Sequence, residues 1–411
     1  MADHFLIIGS GQAAAQAVQT LRQKKFSGRI TIIGEETYPP YQRPPLSKKY
    51  LAGELSAERL YLKPIKHYKN KDVELKLGER VKLIDPQSSR VVLENGQTMS
   101  FSRLLLATGS HVRKLQIPGD NLDGIHYLRT IDDADAIAGG LRPGSRLVIV
   151  GAGYIGLEVA AVAIKRGVDV TVVEALDRVM ARVVSPEISS FYMDYHKKAG
   201  VTIHCATAVT RFAGEKNRVE RVETESGQHF PCDLVIVGIG VEPAAELAEA
   251  AGLACRNGIL VDEFARTRHP DIFAAGDCTN HPNFQRSVRV RLESVHNAIE
   301  QAKTAASNML GEPKTYDDVP WFWSDQYDLK LQIVGLSEGY DQVVIRGEPG
   351  ENSFAAFYFK TGTLIAINAI NSPREFMLGK KLIAAKKTLS PEDLADQGIN
   401  FVDLASKAIG Q

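Results

Sequence analysis

The chain has 411 residues and equal numbers of basic and acidic side chains, 49 Lys and Arg against 49 Asp and Glu, so its formal net charge is zero. This balance argues against a general nucleic-acid binder or a membrane-surface protein. Hydrophobic residues make up 44% of the chain and charged residues 24%, which excludes the disordered and fibrous classes. At roughly 100–200 residues per domain, the length predicts two to four domains.

The cysteines are few, and no pair has the spacing of a zinc site or a Cys-x-x-Cys redox motif, so no metal centre is predicted. They are Cys205, Cys232, Cys255 and Cys278. Their scarcity fits a reducing cytosol, and the first residues lack the pattern of a signal peptide. The run 147–164 contains one charged residue, but glycines divide it into a strand and a helix, so no membrane span is expected. We therefore expect a soluble cytoplasmic protein.

The first chemical motif lies near the N-terminus. Residues 5–8 are a short apolar run, followed by a Gly-x-Gly-x-x-Ala turn and a helical stretch that ends near Lys25. A second apolar strand at 29–33 leads to Glu35, which lies 26 positions after the first glycine. The small residues of the turn are Gly9, Gly11 and Ala14. This order of strand, turn, helix, strand and acid is the dinucleotide-binding fingerprint.

The same pattern recurs in the middle of the chain. A strand at 147–150 leads through a glycine turn into a helix that runs to about Arg166, and a strand at 170–173 ends at Glu174. The small residues of this turn are Gly151, Gly153 and Gly156. A lone glycine motif often reflects only tight packing, but two copies in the same context are much harder to obtain by chance.

The chemistry of a dinucleotide explains these residue types. The first glycine permits a tight turn, the second lets the pyrophosphate approach the backbone, and the third position must be small so that helix and strand can pack closely. The phosphates meet free N–H groups at the helix start, and the acid accepts hydrogen bonds from the ribose. Two such sites predict FAD and a nicotinamide cofactor. Glu174 would repel a 2′-phosphate and so favours NADH over NADPH, although Arg178 and Arg182 lie nearby.

Further segments carry a family resemblance. Ala-Thr-Gly at 107–109 and Gly-Asp at 276–277 resemble signatures of two-domain flavoprotein reductases related to glutathione reductase, in which the Gly-Asp carboxylate binds the ribityl chain of FAD. Taken alone, Asp277 could merely end a buried strand. Three segments make the chain similar to the oxygenase-coupled NADH–ferredoxin reductases, the group that includes putidaredoxin reductase: RPPLSK at 43–48, GYIGLE at 153–158 and PWFWSDQ at 320–326.

The resemblance covers essentially the whole chain and implies its architecture. The fold class is α/β, with two Rossmann-like nucleotide-binding domains of the glutathione reductase type and an α+β C-terminal domain. The implied FAD-binding domain is discontinuous and uses residues 1–112 and 245–320. Residues 113–244 form the implied NAD-binding domain, and residues 321–411 form the C-terminal domain.

The fingerprints and the resemblance together give two sets of candidate residues. Those for FAD are Gly9, Gly11, Ala13, Ala14, Glu35, Lys48, Val81, Ala107, Thr108, Gly109, Arg129, Gly276, Asp277, Val295 and Trp323. Those for NAD are Gly151, Gly153, Tyr154, Ile155, Gly156, Glu158, Glu174 and Gly240. Lys48 and Glu158 are the candidate catalytic residues, expected to form an ion pair near the reactive edge of the flavin. The alternative is that both are surface charges.

Residues 1–204 contain no cysteine, so the flavin-to-disulfide route of related reductases is closed and the electrons must go to an external acceptor. The resemblance implies that FAD takes a hydride from NADH and passes single electrons to a 2Fe–2S ferredoxin that serves a cytochrome monooxygenase or a ring-hydroxylating dioxygenase. Open alternatives are a rubredoxin or quinone reductase and an NADH-sensing flavoprotein of the apoptosis-inducing type.

Alternating apolar residues after position 321 predict antiparallel strands. Trp321 and Trp323 are expected on one face of a strand. Packing in a hydrophobic core is the ordinary role of such aromatic residues, whereas the resemblance implies that Trp323 lies beside the flavin. Candidate docking residues for an acidic ferredoxin are Lys303, Lys380 and Lys381, with Lys386 and Lys387 predicted on the same helix as the last two. The alternative is a solvated helix face.

Overall fold

The computed structural model describes residues 3–410. Its strands, in chain order, are β1 (His4–Ile8), β2 (Arg29–Gly34), β3 (Val73–Leu77), β4 (Val81–Asp85), β5 (Arg90–Leu93), β6 (Thr98–Ser100), β7 (Arg103–Leu106), β8 (Ser110–Val112), β9 (Ile125–His126), β10 (Arg146–Val150), β11 (Asp169–Val173), β12 (Thr202–His204), β13 (Val209–Glu215), β14 (Arg218–Thr224), β15 (His229–Pro231), β16 (Leu234–Val237), β17 (Val241–Pro243), β18 (Ile259–Leu260), β19 (Ile272–Ala274), β20 (Thr279–Asn283), β21 (Val288–Val290), β22 (Trp321–Gln326), β23 (Leu329–Gly335), β24 (Gln342–Glu348), β25 (Ser353–Lys360) and β26 (Thr363–Ile370).

The helices of the same residues, again in chain order, are α1 (Gln12–Gln23), α2 (Ala57–Leu60), α3 (Ile65–Asn70), α4 (Ile131–Gly140), α5 (Tyr154–Lys165), α6 (Pro186–Lys198), α7 (Glu246–Ala250), α8 (Val295–Met309), α9 (Pro373–Ala384), α10 (Pro391–Ala395) and α11 (Phe401–Ile409). Short 3-10 turns lie at Pro44–Ser47 and Pro349–Glu351.

Residues 3–42, 57–111 and 241–320 form one compact unit. Its centre is a parallel sheet in the order β19-β7-β1-β2-β3. The apolar strands β1 and β7 are buried, as expected for a parallel sheet that is covered on both faces. Helices α1 and α8 pack together with small side chains such as Ala13, Ala17 and Ala305 in the core. The unit also holds two three-stranded sheets, β4-β5-β6 and β18-β20-β21.

Residues 43–56, 112–240 and 321–410 form a second unit. It contains another parallel sheet, in the order β12-β11-β10-β16-β9, and the antiparallel sheet β13-β14-β15. The apolar run 147–164 is divided into β10 and α5, which confirms the predicted strand and helix. None of the helices within residues 3–410 is long and apolar enough to cross a membrane.

The last part of the second unit is an antiparallel sheet in the order β22-β23-β26-β25-β24, with α9 packed on β23 and β26. Leu331 and Phe354 both pair with Ile370 of β26, so the antiparallel strands that the sequence predicts are confirmed. The predicted fold class, with two Rossmann-like sheets and an α+β C-terminal part, is also confirmed. The division into three domains at the predicted boundaries stays a prediction.

One prediction about the tail is wrong. Lys380 and Lys381 lie on α9, but the helix ends at Ala384, so Lys386 and Lys387 lie beyond it. Lys386 has a left-handed backbone with φ of 52°. Its N–H donates to Ile383 O and the N–H of Lys387 donates to Leu382 O, which is the pair of bonds that closes a helix in a Schellman motif.

Candidate functional site

The first glycine turn lies between β1 and α1. Gly9 has a φ of 105°, and a Cβ at this position would lie 2.1 Å from the Ala107 carbonyl oxygen, so only glycine fits. Gly11 differs, because a Cβ at this position would contact nothing within 4 Å among the described residues outside its own turn and helix backbone. Helix α1 starts there without a side-chain cap. The turn is therefore tight on its inner side and leaves open space in front of the first N–H groups of the helix.

The second turn repeats this geometry between β10 and α5. Gly151 has a φ of 104°, and its Cβ would lie 2.5 Å from the Gly238 carbonyl oxygen. A Cβ on Gly156 would lie 2.2 Å from Gly151 O, whereas one on Gly153 would meet no described atom within 4 Å. The first and third glycines therefore serve close packing, and the second leaves room for a ligand. Ala14 takes the third position of the first turn and is fully buried.

The two acids that follow the turns have different surroundings. Glu35 is exposed and pairs with Arg80 at 3.1 Å. The carboxylate of Glu174 accepts hydrogen bonds from the N–H of Ala152 at 2.7 Å and from the N–H of Leu176 at 2.9 Å. Glu174 therefore lies against the glycine turn, at the place that the fingerprint predicts for the ribose-binding acid.

The two arginines near Glu174 in the sequence have different surroundings. The guanidinium of Arg178 donates to Val184 O at 2.9 Å and to Ala181 O at 2.8 Å, so it closes its own loop. Arg182 is exposed. Of the other NAD candidates, Ile155 is exposed, and a Cβ at Gly240 would have no contact within 4 Å among the described residues outside its own chain neighbours.

A second group of FAD candidates in the first unit surrounds the Gly-Asp turn after β19. Ser110 Oγ donates to Asp277 Oδ2 at 3.1 Å, and Thr108 Oγ1 donates to Ala244 O at 2.6 Å. The N–H of Gly276 donates to the side-chain oxygen of Gln301 at 2.8 Å. Of the remaining candidates, Ala107 and Gly109 follow β7. Val81 begins β4, and Val295 begins α8.

Gln301 is a residue that the sequence analysis missed. It is fully buried on α8, and its carbonyl oxygen also accepts a hydrogen bond from Thr279 Oγ1 at 2.8 Å. Its side-chain nitrogen has no hydrogen-bond partner among the described residues. A buried amide that holds the Gly-Asp turn and keeps free donors is what a polar ligand at this turn would meet. The signal was weak, because one Gln on an amphipathic helix looks like any other polar residue.

The candidate catalytic pair lies inside the second unit. Lys48 Nζ is 2.7 Å from Glu158 Oε2, and the Glu158 side chain is only 4% exposed. Ser47 Oγ donates to Glu158 Oε2 at 2.5 Å, and Ser324 Oγ donates to Glu158 Oε1 at 2.6 Å. The predicted contact is therefore present, but it is a buried cluster of four polar side chains and not an isolated surface pair.

Burial and the neighbouring donors have opposite effects on the pKa of Glu158. Burial has the larger effect and raises the pKa of Glu158 above its usual value, although the Lys48 ammonium and the two serine hydroxyls act to lower it. Lys48 is held from the other side, because its Nζ also donates to Pro44 O at 3.2 Å in the 3-10 turn. The three donors therefore offset part of the cost of removing this carboxylate from water.

Aromatic candidates lie near the cluster in the same unit. Tyr154 is half-buried, its ring lies 4.8 Å from that of Phe322, and burial of the hydroxyl raises its pKa. Trp321 and Trp323 are both partly exposed, with ring centroids 5.5 Å apart, so they share one face of β22 as predicted. Arg129 precedes α4, and its carbonyl accepts a hydrogen bond from Arg43 at 2.7 Å.

The candidate docking lysines have different partners. Lys303 pairs with Glu300 of its own helix at 2.6 Å. Lys380 Nζ lies 5.5 Å from the centre of the Trp321 ring, and Phe376 packs against the same ring at 5.8 Å. Lys381 is exposed on the last turn of α9. Lys380 is thus part of an aromatic and basic patch, whereas Lys303 is neutralised locally.

The four cysteines all carry free thiols, with Cys232 and Cys278 buried and Cys205 and Cys255 half-buried. Within residues 3–410, no group of three His, Cys, Asp or Glu side chains is placed to hold a metal ion.

Comparison with known proteins places the chain. Residues 3–302 match the pyridine nucleotide-disulphide oxidoreductase family, and residues 321–405 match the reductase C-terminal family. The chain is 44% identical over 407 residues to the 5,5'-dehydrodivanillate O-demethylase ferredoxin reductase subunit of Sphingobium sp., covering 98% of this chain and 99% of that one. It is 44% identical over 392 residues to rhodocoxin reductase of Rhodococcus erythropolis, covering 95% and 92%.

Solved structures agree with this. The reductase of the covalent putidaredoxin reductase–putidaredoxin complex matches with a TM-score of 0.97 and 39% identity, over 100% of this chain and 99% of that one. A ferredoxin reductase from Rhodopseudomonas palustris matches with a TM-score of 0.96 and 43% identity, over 98% and 100%. The chain belongs to the pyridine nucleotide-disulphide oxidoreductase family. Its predicted resemblance to the oxygenase-coupled ferredoxin reductases is confirmed.

Proposed function

We propose that this chain is an FAD-containing, NADH-dependent reductase that passes electrons to a 2Fe–2S ferredoxin serving an oxygenase. The observation that carries the proposal is the presence of two open glycine turns, each followed by an acid, in a chain whose first 204 residues contain no cysteine. Two dinucleotides then bind to one chain, and the electrons leave to a separate acceptor. Relatives that match over nearly the full length are named ferredoxin reductases, which supports the same acceptor.

The residues of the first unit fit FAD. The space at Gly11 and the uncapped start of α1 would bind a pyrophosphate, and the Glu35 carboxylate would accept hydrogen bonds from the ribose hydroxyls. Asp277 accepts hydroxyl donors from the flavin chain, in an orientation that its bond from Ser110 supports. The spare N–H donors of Gln301 add a polar contact at the same turn.

The residues of the second unit fit NADH. The turn at Gly153 receives the pyrophosphate, and Glu174 accepts the hydrogen bonds of the adenosine ribose. A 2′-phosphate would bring a second negative charge towards this carboxylate. Because Arg178 is bonded to the carbonyls of its own loop, it does not offer that phosphate a partner.

FAD, when bound, supplies the chemistry, since it accepts two electrons from NADH and releases them one at a time. The residues of the chain position the cofactor and supply a positive charge next to it. Glu158 and the Pro44 carbonyl hold the Lys48 ammonium in a fixed place, where it would stabilise negative charge on a reduced cofactor. The serines at 47 and 324 keep the Glu158 carboxylate in one orientation towards that ammonium.

The acceptor docks at the patch formed by Trp321, Trp323 and Lys380, and the buried Phe376 packs against the Trp321 ring from within. A ring and an ammonium together offer an apolar contact and a charge that attracts an acidic ferredoxin. Lys381 extends the charge of the patch, while Lys303 contributes little because Glu300 neutralises it. A cytoplasmic location is part of the proposal, supported by the scarcity of cysteine.

The test is steady-state oxidation of NADH by the purified holoenzyme with four acceptors: a 2Fe–2S ferredoxin, a rubredoxin, a quinone and dioxygen. We expect the highest kcat/KM with ferredoxin. A preference for rubredoxin or quinone replaces the proposed acceptor by the second candidate. Negligible turnover with every acceptor, together with tight binding of NADH, favours the sensor function instead.

A further inference from the structure

A continuous line of hydrogen bonds connects Glu158 with the protein surface. Beyond Ser324, which donates to Glu158, Gln326 Nε2 lies 3.2 Å from Ser324 Oγ. The side-chain oxygen of Gln326 lies 2.8 Å from His196 Nε2. On the other side of the ring, His196 Nδ1 lies 3.2 Å from the hydroxyl of Tyr327. Five side chains from α5, α6 and the β22–β23 hairpin are thus joined in one row.

The row ends at an open cavity of about 520 Å³. Its lining residues are Lys165, Tyr195, Lys198, Ala199, Tyr327 and Asp328. Tyr195 donates its hydroxyl hydrogen to Asp328, and its ring lies 5.5 Å from the Tyr327 ring at a tilt of 45°, but it makes no hydrogen bond to His196. Tyr195 is therefore a neighbour of the row and not a member of it, which makes it useful as a control.

The chemistry of each group fixes the direction of every bond. An ionised Glu158 only accepts, so it takes the single hydroxyl hydrogen of Ser324, and Gln326 must present its N–H₂ to the serine. The Gln326 oxygen then faces His196 and only accepts, which places the ring hydrogen on Nε2. His196 Nδ1 is left as an acceptor for the Tyr327 hydroxyl. Every donor in the row points towards Glu158.

Burial of the row favours this single arrangement of hydrogen-bond donors and acceptors. Ser324, Gln326 and His196 are all buried. Burial lowers the pKa of His196 to about 4, so its ring is neutral near pH 7. An amide does not release and take up protons as hydroxyls do, so Gln326 interrupts any proton path. The row therefore orients and polarises, and it does not conduct protons.

We propose that Gln326 and His196 are positioning residues that commit the Ser324 hydroxyl to Glu158 and thereby keep that carboxylate ionised beside Lys48. Donors that point along one row polarise one another, and each strengthens the next bond towards the charge. The inference rests on the proposed function for the role of Glu158 near the reacting cofactors. Other titratable groups that face Glu158 are Lys48, Tyr154 and Tyr192, and Asp325 acts on Tyr192.

The decisive variant is Gln326→Glu in the FAD-loaded enzyme. The introduced carboxylate accepts hydrogen bonds from Ser324 and from His196, so it draws the serine hydroxyl away from Glu158. We expect the acid limb of flavin reduction by NADH, followed by stopped-flow absorbance across pH, to move upwards by about one pH unit, because a lost donor raises the pKa of a carboxyl. The matched control is Gln342→Glu, at an exposed position on β24, which leaves the pH dependence of flavin reduction unchanged.

A second measurement does not depend on turnover. Nitrogen-15 NMR of the labelled histidines in the holoenzyme reports which ring nitrogen of His196 carries the hydrogen, with the signal assigned by its loss in His196→Gln. We expect the Nε2–H form in the wild type and a protonated ring near pH 7 in Gln326→Glu. Tyr327→Phe removes the donor to Nδ1 and shifts the signal of that nitrogen, whereas Tyr195→Phe does not.

The outcomes separate the two proposals. If Glu158→Gln removes the acid limb but Gln326→Glu leaves it unmoved, the positioning role is overturned and the role of Glu158 stands. A wild-type His196 with its hydrogen on Nδ1 also overturns the positioning role. If Glu158→Gln leaves the limb unchanged, the proposed role of Glu158 fails, and the positioning role fails with it.

Discussion

The Glu174 carboxylate accepts a 2.7 Å hydrogen bond from the N–H of Ala152, in the middle of the second glycine turn. The acid that we propose selects the cofactor is thus bonded to the loop that we propose binds the cofactor's phosphates. Its negative charge is fixed in place, with a second bond from the N–H of Leu176 at 2.9 Å.

Cofactor choice is expected to follow from this contact. We expect the kcat/KM of the wild type for NADH to exceed that for NADPH. We expect Glu174→Arg to lower this ratio by about tenfold or more, because it removes repulsion and adds a partner for a 2′-phosphate. Steady-state kinetics with both coenzymes measure the ratio. Glu215→Arg, an exposed charge change in the same unit, leaves it unaltered. Equal efficiency of the wild type with NADH and NADPH contradicts the assignment.

FAD retention is expected to depend on Asp277 and Gln301. Asp277→Ala leaves hydroxyl donors of the flavin chain unpaired, at a cost of about 1–3 kcal/mol, which weakens FAD binding by roughly 5- to 150-fold. Gln301→Leu loosens the Gly276 turn and weakens binding in the same direction. Flavin fluorescence after dialysis measures the loss. The control is Asp271→Ala, which removes a carboxylate that pairs with Arg103. Equal FAD retention in all three variants argues against the proposed roles of Asp277 and Gln301.

Electron transfer to ferredoxin is expected to depend on salt. Charges at the rim of an interface act mainly on the association rate and are screened within about 8–10 Å at physiological ionic strength. Ferredoxin reduction therefore slows as salt rises, while reduction of the flavin by NADH changes far less. Lys380→Glu with Lys381→Glu raises the KM for ferredoxin and spares the reductive half-reaction.

The control for that pair is Lys216→Glu, an exposed lysine of the β13–β14 turn. Stopped-flow absorbance separates the two half-reactions. If neither salt nor charge reversal changes ferredoxin turnover, docking uses an apolar surface, with Trp323 the next residue to replace.

Acid stability is expected to depend on His281. Burial, with a smaller effect of Arg289, lowers the pKa of His281 to about 4 in the folded protein, against 6.5 for the free side chain. The unfolded chain therefore binds the extra proton first, and the stabilising contribution is full above pH 6.5 and falls as the pH drops towards 4. Between pH 7 and pH 5 the loss is about 2 kcal/mol.

Denaturant unfolding of the holoenzyme at both pH values measures this loss. His281→Gln loses less stability on acidification than the wild type, whereas His229→Gln, at an exposed position, behaves like the wild type. Identical pH dependence in all three proteins contradicts the role of His281.

The elements that the sequence predicts best are local. Each glycine turn, with its strand before and its helix after, is encoded within about twenty residues, and the structure agrees to within one or two residues at each end. The end of α9 was misplaced, because a left-handed Lys386 gives no compositional signal of the kind that glycine gives.

The candidate site is predicted less completely, because its contacts join distant parts of the chain. The pairing of Lys48 with Glu158 followed from a family resemblance, and nothing in the spacing of 110 positions predicts it. The same holds for Ser324, which reaches Glu158 across 166 positions, and for Gln301. Ser, Gln and His have ordinary structural uses everywhere, so only tertiary packing reveals which of them meet.

The four free thiols have a consequence for the durability of the enzyme. Burial raises the pKa of each of them, to about 12 for Cys232 and about 11 for Cys255. The thiolate is the form that reacts with peroxide, and at neutral pH these side chains stay almost entirely protonated. A flavoprotein that works in the presence of dioxygen is exposed to peroxide from its own side reactions. The cysteines of this chain are therefore expected to survive many turnovers without oxidation.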